Sequence, residues 1–71
     1  MDINIERKIE MPNITGKELA YIEDQLSHEE MLVKKYQAAS NQCSDQALKT
    51  KFTQVAKIHQ QHYQTLLNHL Q

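Results

Sequence analysis

Two stretches of this chain repeat apolar residues in alternating steps of three and four, and a short polar segment separates them. The first seam runs Leu19, Ile22, Leu26, Glu29, Val33 and Tyr36. The second runs Leu48, Phe52, Val55, His59, His62, Leu66 and either His69 or Leu70. That period places each set on one face of an α-helix. The chain holds one Gly and one Pro, too few for a loop-rich fold. Asn41 to Asp45 is a polar connection of the length that joins neighbouring helices. The reading is all-α: an antiparallel two-helix hairpin, with helices at about residues 15–42 and 45–70.

Local signals mark the helix starts. Thr15 followed three residues later by Glu18 has the spacing of a capping box, and Ile14 with Leu19 has that of a hydrophobic staple. Ser44 is the expected cap of the second helix. Asp45 follows where the helix dipole favours an anion, and Cys43 with Leu48 is spaced for a second staple. Residues 1–13 read as an N-terminal arm, extended or disordered, and residues 14–71 as the helical domain. In the arm Ile3, Ile5, Ile9 and Met11 alternate weakly, and Pro12 disfavours helix at Met11.

At 71 residues a single core is marginal, and the lone Cys43 rules out an internal disulfide. Leu32, Ala39 and Ala20 widen the first seam; Ala56, Tyr63 and Leu67 widen the second. Faces this broad exceed what two helices can cover. A homodimer in which two hairpins form a four-helix bundle is the economical solution. Charge agrees. From Gln46 onward the chain carries Lys49, Lys51 and Lys57 and no acid, whereas the first helix is rich in Glu and Asp. The net charge of −1 gives no reason to expect nucleic acid or an anionic membrane as partner. No apolar run approaches the roughly 20 residues that span a bilayer, and the N-terminus lacks a signal-peptide core. The expectation is a soluble protein, cytoplasmic as synthesised, with a reduced thiol.

Glu29, His59 and His62 interrupt the apolar seams. Glu29 precedes the turn by about as many residues as His59 follows it, so both lie roughly 22 Å from the turn at a rise of about 1.5 Å per residue. His62 is one turn farther along the same face. One carboxylate and two imidazoles at one depth are a candidate metal set, with iron or zinc as the candidate ions. Two other readings stay open: a metal-free Glu–His layer that specifies pairing register, or a rotated first helix with Glu29 in solvent. His28 points away from the seam, and His69 suits the C-terminal end of a helix dipole. Tyr36 and Tyr63 belong in the core with hydroxyls at its edge. No phosphate loop, nucleophile motif, cysteine pair or EF-hand pattern is present, so no catalytic residue and no enzyme activity can be named.

The stretches Leu26-Ser27-His28-Glu29-Glu30-Met31-Leu32-Val33-Lys34-Lys35-Tyr36 and Val55-Ala56-Lys57-Ile58-His59-Gln60-Gln61-His62-Tyr63-Gln64-Thr65-Leu66-Leu67 resemble the two helices of the CotF-like spore coat proteins (coat F domain). The resemblance covers about Ile14 to Leu70. It implies a ferritin-like half-bundle that pairs, a structural or assembly role in the spore coat, and other coat proteins as partners. Ferritin-like di-metal sites take one Glu from each of two helices and a Glu-x-x-His pair from each of the others. Glu29 matches the single Glu and His62 the His of the pair, but His59 stands where the pair has Glu. That departure removes bridging carboxylates and argues against iron storage. The leading expectation is a small structural assembly protein. The alternatives are a metal-binding bundle with a redox role and a helical adaptor that receives a partner helix.

Overall fold

The computed structural model describes residues 14–70. Among these residues there are two helices and no strand: α1 (Gly16–Gln42) and α2 (Gln46–Asn68). The expected arm, residues 1–13, lies outside the described residues. The capping box forms as read. Thr15 Oγ1 accepts the Glu18 amide at 3.1 Å, and Glu18 Oε1 accepts the Thr15 amide at 3.0 Å. Two donors that would otherwise lack a partner at the helix start are thereby satisfied.

The second cap differs from expectation by one residue. Asp45, not Ser44, is the cap: its Oδ1 accepts the Leu48 amide at 3.0 Å, and its carbonyl accepts the Lys49 amide at 2.9 Å. Both residues are good caps, but a carboxylate also gains from the helix dipole. The shift removes the spacing of the Cys43–Leu48 staple. Cys43 instead points its thiol at the Asp45 carbonyl (3.6 Å), and Leu48 is 45 % exposed.

The helices run antiparallel. Next to the loop, Ser40 Oγ lies 2.8 Å from Thr53 Oγ1 and donates to the Lys49 carbonyl at 3.3 Å, while Lys49 Nζ donates back to the Ser40 carbonyl at 3.2 Å. Farther out Tyr36 packs on Phe52, with ring centroids 5.9 Å apart. Farther still, Glu29 meets His59.

The hairpin is a rod of 48 × 22 × 17 Å with a radius of gyration of 15.9 Å. A compact domain of this size would have a radius of about 10 Å. The consequence shows in burial. Among the described residues only Ala56, Glu29 and Ser40 are buried, and no large side chain is fully covered. Leu19, Ile22, Leu26, Val33, Tyr36, Phe52, Val55 and Leu66 are each half-buried, as are Leu32, Ala39, Tyr63 and Leu67. Ala20, expected to widen the first seam, is exposed. At the end of α2, Leu70 is half-buried and His69 is exposed, so Leu70 completes the second seam.

Candidate metal centre

Glu29 is carried inward by α1 midway along the rod, and its side chain retains 8 % of its exposure. Directly across, His59 Nδ1 donates to Glu29 Oε1 at 2.7 Å. One turn on, His62 Nδ1 stands 3.5 Å from the same oxygen. Gln25, one turn before Glu29 on α1, donates its Nε2 to Oε2 at 2.9 Å. The carboxylate is thus gripped from both helices.

The ring of His59 is held on two sides. Tyr36 stacks on it at 6.0 Å with an interplanar angle of 12°, and His62 meets it edge-on at 5.5 Å. His59 is 22 % exposed and His62 is 54 % exposed, so the set opens toward solvent on the His62 side. Burial pushes the Glu29 carboxyl up. Hydrogen bonds from His59 and Gln25 and the charges of His59 and His62 outweigh it, holding the group below its ordinary value of 4.5.

The three residues singled out from the seams therefore converge, and each offers a donor atom within 4.8 Å of the others. The reading that placed Glu29 in solvent is excluded by its burial. His28 is exposed, as expected. His69 lies apart from the cluster: its Nδ1 is 2.9 Å from the Thr65 carbonyl. Sequence reasoning missed Gln25 and Ser40. Each had a signal. Gln25 is four residues before Glu29, the spacing at which helical side chains meet. Ser40 is four residues beyond Tyr36 and continues the first seam.

No family model matches the chain, and no solved structure matches it. A Bacillus subtilis (strain 168) protein, described as uncharacterized protein YuzM, is 38 % identical over 58 residues, spanning 82 % of this chain and 72 % of the relative. The chain belongs to the family of that protein. No helix among the described residues is long and apolar enough to cross a membrane.

Proposed function

We propose that this chain is a small structural assembly module: a hairpin that pairs with a second copy into a four-helix bundle and serves in the spore coat. The observation that carries the self-association is the absence of any fully covered large side chain among the described residues. Half-buried seams leave apolar surface that a second hairpin would remove from water, at about 25 cal/mol per Å². The coat role rests on the resemblance of both helices to the CotF-like proteins.

One side of the hairpin suits the contact better than the other. The groove on one side is lined by Gln37, Ser40, Asn41, Thr53, Lys57 and Gln60 around Ala56, and every one of these side chains but Ala56 ends in a polar or charged group. On the opposite flank of α2, Leu48, Val55, Ile58 and His62 follow at steps of seven, three and four. Leu48 and Ile58 are 45 % and 48 % exposed. The matching flank of α1 offers Tyr21, Leu32 and Ala39. Packing this flank of one copy on its partner with α1 against α2 sets the acid-rich helix beside the lysine-rich one. Each exposed pair adds little alone, but the arrangement avoids like charges.

Sedimentation equilibrium tests the association: the mass should be twice the chain's 8.3 kDa. Ile58→Glu, a charge placed in the contact, should give a helical monomer. A monomeric wild type would remove the bundle and favour the adaptor role. Fractionation of a sporulating host expressing the tagged chain tests the coat role. Recovery in the mother-cell cytosol alone would refute it.

A further inference from the structure

We infer that Glu29, His59 and His62 form a binding site for a single divalent transition-metal ion of the zinc or iron(II) class. All three ligands come from one chain, so the site forms in the unpaired hairpin, and the pairing proposed above would cover its His62 side. The donor set is one carboxylate oxygen and two imidazole nitrogens, with the three donors within 4.8 Å of one another. That mixture suits borderline transition ions, whereas calcium and magnesium take oxygen shells.

The geometry is close to a metal shell, and the difference is itself informative. At metal–ligand bonds of about 2.0–2.1 Å, two ligands of a tetrahedral ion stand about 3.3 Å apart. The His62-to-Glu29 separation of 3.5 Å already fits. The His59-to-Glu29 separation of 2.7 Å is a hydrogen bond and must widen. The ion takes the place of the Nδ1 proton that His59 donates to Glu29: in the neutral ring that proton moves to Nε2 by way of water, and in the imidazolium it is released to water.

The surroundings favour the exchange. Gln25 holds the second carboxylate oxygen, which orients the first. Tyr36 stacked on His59 restrains that ring. Three protein ligands leave at least one position for water, and the half-exposed His62 marks the open side. Gln25 is a positioning residue in this arrangement.

The test is titration of tag-free full-length protein with Zn²⁺ by calorimetry, and with Co²⁺ by its visible absorption, which reports coordination. The expected result is one ion per chain, with Co²⁺ bands of nitrogen–oxygen coordination. His62→Ala alters a half-exposed side chain and should leave the circular dichroism spectrum intact. It should weaken binding by more than the roughly 10–100-fold that losing an outer partner costs. Gln25→Ala should fall within that range, and Cys43→Ser should bind as wild type. Failure of wild type to bind either ion, or binding that His62→Ala leaves unchanged, would overturn the assignment.

Discussion

Two polar layers cross the hairpin, and they are built on different principles. At the loop end Ser40 is buried; its hydroxyl meets only neutral groups, Thr53 Oγ1 and the Lys49 carbonyl, and its own carbonyl accepts from the Lys49 ammonium. Midway along the rod Glu29 is buried to the same degree, but it is charged and meets two titratable rings, one half-exposed. The first layer closes on itself. The second has donors to spare on its open side. A closed layer sets register; an open one can also take a ligand.

Zinc should separate the two layers most widely. An ion at a hundred times its dissociation constant stabilises the folded chain by about 2.7 kcal/mol. Thermal melts at fixed protein concentration should therefore rise with Zn²⁺ for wild type and for Ser40→Ala, and not for His62→Ala. A rise in all three would place the ion elsewhere.

The next effect is the removal of one charge partner. His59→Leu strands the Glu29 carboxylate and should cost about 1–3 kcal/mol in urea unfolding. The double change Glu29→Leu with His59→Leu should recover most of that loss, because paired apolar replacements are often neutral. A double variant no better than the single one would show that the layer contributes stability, not only specificity.

Acid should act on the middle layer alone. The Glu29 carboxyl is held below its ordinary value, so its contribution is complete above about pH 4.5 and is lost as pH falls through the folded-state value. Glu29→Gln should flatten that part of the pH–stability profile, and Ser40→Ala should leave it unchanged. The smallest of these effects is the cost of Ser40→Ala itself, about 1 kcal/mol for a neutral hydrogen bond. A loss above 3 kcal/mol would mean that the loop-end layer carries the fold.

Much of this was legible because it was local or geometric. Thr15 and Glu18 interact across three residues, so nothing distant could override them. Glu29 and His59 meet because an antiparallel hairpin pairs residues equally far from its turn. The cap of α2 was misread for a reason of the same kind. Ser44 and Asp45 are adjacent and both cap well, so spacing alone does not choose between them; the carboxylate's added gain from the helix dipole does. Ser40 was passed over because an apolar pattern does not register a hydroxyl that finds its partners on another helix.

The three-residue link between the helices also sets an order of events. Ser40 reaches Lys49 across nine residues of chain, whereas Glu29 reaches His59 across thirty. Loop-closure entropy rises with that separation, so contacts should form first at the link and spread outward like a zipper. Amide hydrogen exchange should be slowest near Ser40 and faster toward Ile22 and Leu66. The Thr15 cap then has a second part to play: it secures the end of the rod that the zipper reaches last.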